Sequence, residues 1–107
     1  MLFRSLVTWN SGVLANGAQT TVAPGATLVV ATGNFHDLPG AVLTNFGTVQ
    51  WTGGQIRGDG GTVIHNAGLW LAESNDELNS AYANGLVFQN PGTFRKAAGI
   101  EIGRAHV

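Results

Sequence analysis

Three acids fall within five residues in Ala72-Glu73-Ser74-Asn75-Asp76-Glu77, the densest carboxylate cluster of the chain. Paired carboxylates cleave glycosidic bonds, one protonating the leaving oxygen while the other attacks or activates water. The same acids, with Asn75, offer the hard oxygen ligands that Ca²⁺ takes. All of them lie in one short segment, and no group elsewhere in the sequence is placed to complete either site. Glu73, Asp76 and Glu77 therefore read as a solvated loop, with no catalytic and no metal role assigned.

The run Gly53-Gly54-Gln55-Ile56-Arg57-Gly58-Asp59-Gly60-Gly61-Thr62 invites three further readings. A phosphate-binding loop needs Lys followed by Ser or Thr after its final glycine, and neither pairing is present. A calcium-binding nonapeptide repeat needs Gly where Ile56 stands, and tandem copies. Arg57-Gly58-Asp59 spells the integrin-recognition tripeptide, which a glycine-rich corner produces readily by chance. The run reads as a corner. His36-Asp37 has the makings of an oriented base, but no Ser or Cys nucleophile motif accompanies it. Trp51 and Trp70 have faces suited to sugar rings, yet they occupy positions filled elsewhere by Val and Phe, so they read as core. The absence of cysteine removes disulfides, zinc-thiolate sites and cysteine nucleophiles together.

What would position any such group is a repeat. Val42-Leu43-Thr44-Asn45-Phe46-Gly47-Thr48-Val49, Val63-Ile64-His65-Asn66-Ala67-Gly68-Leu69-Trp70 and Val87-Phe88-Gln89-Asn90-Pro91-Gly92-Thr93-Phe94 align without gaps. Their asparagines are 66 − 45 = 21 and 90 − 66 = 24 residues apart. Val13-Leu14-Ala15-Asn16-Gly17 reads as a degraded fourth copy. Val7-Thr8-Trp9 parallels Val49-Gln50-Trp51 at 51 − 9 = 42, twice 21. Ala23-Pro24-Gly25 and Leu38-Pro39-Gly40 are 15 apart and read as recurring turn chemistry only.

Val, Ile, Phe, Thr and Trp favour pleated strands, and Asn-x-Gly breaks a strand by turning it. No uninterrupted helical periodicity occurs; the best stretch, Ala72 to Asn84, allows one short turn of helix at most. A unit of 21 to 24 residues cannot bury its own apolar face, but stacked copies can. The fold expected is therefore all-β, a parallel β-helix of about four coils. Asn45, Asn66 and Asn90 would stack at one corner as an amide ladder, with Gly47, Gly68 and Gly92 beside them. An antiparallel β-sandwich is the alternative, but it gives no reason for one turn to recur at this period. His65 occupies the variable polar position and should face outward. The longer second interval places an insertion between Glu73 and Asn84.

The run from Leu43 to Ile100, above all Thr44 to Gly54 and Phe88 to Lys96, resembles the repeats of large secreted bacterial proteins, the filamentous-haemagglutinin and autotransporter-passenger β-helices. That resemblance implies a structural or adhesive module of a secreted or cell-surface protein, without catalysis or cofactor. It implies neighbouring repeats of a longer chain as partners, and host or matrix glycans as ligands. A polysaccharide-binding or glycan-cleaving β-helix is the alternative.

The ends read differently. Glu101-Ile102-Gly103-Arg104-Ala105-His106-Val107 resembles the translation of a common sequencing adapter, GAG ATC GGA AGA GCA CAC GTC. Met1-Leu2-Phe3-Arg4-Ser5 resembles the reverse complement, GTG CTC TTC CGA TCT, read from a GTG start. Residues 1–5 and 101–107 are thus expected to be adapter-derived, leaving 6–100 as the repeat fragment. Within it Arg57, Arg95 and Lys96 face Asp37, Asp59, Glu73, Asp76 and Glu77, 3 − 5 = −2. Such a surface offers a polyphosphate backbone little, so nucleic acid is not an expected partner. No stretch approaches the ~20 apolar residues of a membrane-spanning helix. With 44% hydrophobic residues and 10% charged, the chain has the balance of a folding sequence, and 16 glycines require frequent turns.

Overall fold

A computed structural model of the chain describes residues 2–14, 17–58, 61–73, 78–79 and 86–96. Every regular element in it is a strand. The first coil holds β1 (Leu2–Phe3), β2 (Leu6–Trp9) and β3 (Gly12–Val13). The second holds β4 (Gln19–Val22), β5 (Thr27–Val30) and β6 (His36–Asp37), and the third β7 (Val42–Asn45), β8 (Thr48–Trp51) and β9 (Ile56–Arg57). The fourth holds β10 (Val63–Asn66), β11 (Leu69–Ala72) and β12 (Leu78–Asn79), and β13 (Val87–Gln89) with β14 (Thr93–Lys96) begins a fifth. Like strands of successive coils pair in parallel, giving three sheets in the orders β1-β4-β7-β10-β13, β2-β5-β8-β11-β14 and β3-β6-β9-β12. The molecule is a β-solenoid of about four turns.

Register follows the repeat. Asn66 lies over Asn45, Ile64 over Leu43, and Trp70 over Val49. Trp9, Val30, Trp51 and Ala72 form one column, so the match of Val7-Thr8-Trp9 to Val49-Gln50-Trp51 is a true two-coil step. Side chains alternate across each strand, burying Leu28 and Val30 in β5, Val49 and Trp51 in β8, and Trp70 and Ala72 in β11. Neighbouring columns compensate in size. The third coil pairs small Val49 with Trp51, and the fourth pairs Trp70 with small Ala72. Both indoles are fully buried, each contributing on the order of 2–3 kcal/mol by burial.

The fourth copy of the repeat is corrected. Val13 belongs to β3 and pairs with Asp37 of the third sheet, while Asn16 lies outside the described residues. The true counterpart of Val42 to Asn45 is Gln19 to Val22, which puts Val22 in the asparagine column. Polar alternation without Asn hid this strand. Its corner is Ala23-Pro24-Gly25-Ala26, two residues longer than Asn-x-Gly. Ala26 N–H donates to Ala23 O at 3.0 Å, and Ala41 N–H to Leu38 O at 3.2 Å. With Pro second and Gly third at φ 83° and 61°, both are type II turns. They sit at different corners, which is why their spacing ignores the period.

The glycine-rich run from Gly53 to Thr62 is not corner throughout, because β9 lies inside it. Two-residue strands such as β6 and β9 are too short to show periodicity. The extra residues of the fourth coil fall between Ala72 and Leu78 and between Asn79 and Val87, segments largely outside the described residues. Trp51 Nε1 donates to Gly54 O at 2.7 Å, whereas buried Trp70 Nε1 meets no acceptor among the described residues. Trp51→Phe should therefore destabilise by about 1 kcal/mol more than Trp70→Phe, because only the former gives up an indole hydrogen bond. Urea unfolding of the two variants measures the difference, and equal costs would refute the assigned indole environments.

Candidate functional site

Strands β7 and β10 turn their last side chains inward, so Asn45 and Asn66 are fully buried at the corner between the first two sheets. A primary amide in that position is costly unless each N–H and oxygen finds a partner. The next coil supplies them. Asn45 Nδ2 donates to Asn66 Oδ1 at 2.8 Å and to Leu69 O at 2.9 Å. Asn66 Nδ2 repeats both bonds one coil higher, to Asn90 Oδ1 at 2.8 Å and Thr93 O at 2.9 Å. At the lower end Asn45 Oδ1 accepts from Gly47 N–H at 3.1 Å, closing an Asx turn.

The glycines serve approach. A Cβ on Gly68 would run into Gly47 O and would stand 2.8 Å from Phe46 C; one on Gly92 would strike Gly68 O and Ala67 C. Gly47 meets Ala23 O and Ala26 O in the same way. The six repeat residues Asn45, Gly47, Asn66, Gly68, Asn90 and Gly92 thus line one stacked corner. Their chemistry joins coil to coil.

A second cluster lies on the outer face of the third sheet. Arg57 donates through Nε to Asp37 Oδ1 at 2.6 Å and through Nη2 to Asp37 Oδ2 at 2.8 Å. Its guanidinium lies over the Phe35 ring at 3.8 Å, and Phe35 is 52% exposed. Phe35 follows a strained corner in which Thr32, a β-branched residue, holds φ 70°. The Thr32 hydroxyl bridges that corner, donating to Asn10 O at 2.5 Å and accepting from the Asn34 side chain at 3.1 Å. Sequence reading took Arg57 only as part of a tripeptide, and Asp59 lies outside the described residues. The overlooked signal was an acid and a base 57 − 37 = 20 residues apart, close to one coil.

His36 and Asp37 do not form a dyad, since successive strand residues face opposite ways. His36 points inward, fully buried, with Nε2 2.9 Å from both Trp9 O and Ala31 O and its ring edge-on to Trp9. It fills the space left by small Val30 in that coil. Its Nδ1 has no partner and lies under Gly54, where a Cβ would touch the ring. His65 stands in an outward column and its Nδ1 is 2.9 Å from Gln89 Oε1.

Glu73 departs from the solvated-loop reading. It is half-buried, its N–H donates to Trp51 O at 2.8 Å, and Oε1 is buried with no partner among the described residues. Asp76 and Glu77 lie outside the described residues. Among the described residues no group of three or more His, Asp or Glu is placed to hold a metal ion. No protein-family model, curated protein or solved structure matches the chain.

The corner geometry sets a gradient of mutational cost. Asn66→Ala removes bonds above and below and should cost about 2–4 kcal/mol, while Asn90→Ala, with one ladder bond, should cost less. Gly68→Val should destabilise by at least about 1 kcal/mol, and His65→Gln should be near neutral. Thermal and urea unfolding of the four variants checks the order.

Proposed function

We propose that the chain is a spacer module, a stretch of β-solenoid stalk in a secreted or cell-surface protein, without catalytic activity of its own. The observation that carries this reading is where the specific chemistry goes. The buried amides, the Asp37–Arg57 pair and the matched indole columns all act between one coil and the next. A rod built this way transmits length and stiffness along its axis through hydrogen bonds repeated every ~4.8 Å. The resemblance of the Asn-x-Gly coils to haemagglutinin and autotransporter-passenger repeats supports placement at a bacterial surface. Its partners on this reading are neighbouring coils of a longer chain.

Polysaccharide binding is a second reading, favoured by one feature. Phe35 offers an exposed aromatic ring beside a planar Arg–Asp pair, the combination that stacks on a sugar and hydrogen-bonds its hydroxyls.

Antibodies raised against residues 6–96 should label intact source cells as strongly as permeabilised ones, and the purified chain should release no reducing ends from polysaccharides. Labelling confined to permeabilised cells would refute the surface assignment, and hydrolysis abolished by Glu73→Gln would refute the non-catalytic one.

A further inference from the structure

We propose that the edge formed by β13 and β14 is a docking surface for an extended segment of strand–Asn-x-Gly–strand chemistry, laid down in parallel as one further coil. The edge has this chemistry whether or not the chain serves as a surface spacer. The amide ladder is directional, and its direction identifies the occupant. Each Asn gives one Nδ2 hydrogen to the Asn oxygen above it and the other to a carbonyl three residues beyond that Asn, as Asn45 does to Asn66 and Leu69, and Asn66 to Asn90 and Thr93. Among the described residues nothing accepts from Asn90 Nδ2, although Asn90 Oδ1 is already taken from below.

The backbone points the same way. Asn45 O accepts from Gly68 N–H at 2.8 Å and Gly47 O from Leu69 N–H at 2.9 Å. One coil higher, Asn66 O accepts from Gly92 N–H at 2.8 Å and Gly68 O from Thr93 N–H at 2.9 Å. Asn90 O and Gly92 O hold the next places in that series. Each glycine clears the coil beneath it, Gly68 clearing Gly47 O and Gly92 clearing Gly68 O, so a residue laid over Gly92 must itself lack a Cβ to clear Gly92 O.

The fitting occupant must bring a side-chain amide above Asn90 and a glycine above Gly92. Residues 97–107 contain no Asn and cannot supply it. A second copy stacked head to tail would bring Phe3 to that place, since Phe3 pairs with Val22 and Val22 with Asn45 in the same column. The lower end of the amide ladder is closed, because Asn45 Oδ1 takes its own Gly47 N–H and Val22 lies beneath. Amide-keyed extension is therefore favoured at the β13–β14 edge, and by an Asn-x-Gly segment over another copy. This is strand addition with a polar register key.

The probe is a capped synthetic peptide with the sequence of residues 87–96, kept soluble by its Arg and Lys, titrated calorimetrically into the unaltered chain. Its partner probe is the same peptide carrying Asn90→Val. The Asn peptide should bind one per chain and raise the thermal midpoint. The Val peptide, which lacks the amide, should bind at least about tenfold more weakly. Equal affinities, or no binding by either peptide, would overturn the proposal. So would association of the unaltered chain in sedimentation that the Asn peptide does not suppress, which would assign the edge to a second copy.

Discussion

Among the described residues every strand pairing runs between one coil and the next, and none runs within a coil. A coil can therefore satisfy its backbone only if the chain returns, after each turn, to within a bond length of where it began. That demand acts on the corners, because the strands themselves are fixed at 4.8 Å apart or thereabouts. Corners of different lengths are tolerated where they bulge outward, as at Ala23-Pro24-Gly25-Ala26. They are tight at the Asn-x-Gly corner and again at Gly54, where the backbones of successive coils touch and only glycine fits. Side chains follow from the same constraint: Trp51 is flanked by Val49, with Val30 below and Ala72 above, while Trp70 stands beside Ala72, with Val49 below and Phe94 above.

The coil interfaces are not held by one device. Between the third, fourth and fifth coils the buried Asn column supplies paired amide bonds at the corner. Between the second and third the column changes to Val22, and no amide bond is possible there. At that same interface the bidentate Asp37–Arg57 pair clamps the outer face of the third sheet. Thr62 Oγ1 also donates to Leu38 O across it, and one interface lower buried His36 Nε2 lies 2.9 Å from Trp9 O. An exposed ion pair alone contributes little. This pair is largely covered, with side chains 22% and 12% exposed, and its guanidinium is backed by Phe35, so it is held in one geometry at low entropic cost.

The parts of this fold legible in the sequence are those where one residue type has one physical use. Asn-x-Gly marked the tight corner because few residues turn there and only glycine clears the neighbouring carbonyl. Trp9 and Trp51 marked a column because bulk must be placed in step with the period. The second coil escaped because Gln19-Thr20-Thr21-Val22 meets the same register with ordinary strand formers, so nothing in its composition distinguishes it from a loop. The third sheet escaped because two residues carry no alternation. His36 beside Asp37 has the makings of an oriented base in the sequence, but strand geometry puts the two on opposite faces. Glu73 looked solvated from its neighbours in sequence, but its position after Ala72 sets it directly above Thr52, against the body of the solenoid.

The outward columns obey a different rule. Thr21, Thr44, His65 and Gln89 follow one another in one such column, and Val13, Asp37 and Arg57 in another, with no single residue type required. The stack constrains these positions only to be compatible with a strand, so each is open to take on recognition without disturbing the core. Inward positions have no such freedom, since a change in any one is felt by the coils above and below it. Away from the ends of the stack, specific recognition on this scaffold therefore has to be assembled from outward residues of adjacent coils, brought together at strand spacing. Phe35, Asp37 and Arg57 show the form such a cluster takes: two neighbouring coils, one exposed ring, and polar groups locked by each other before any ligand arrives.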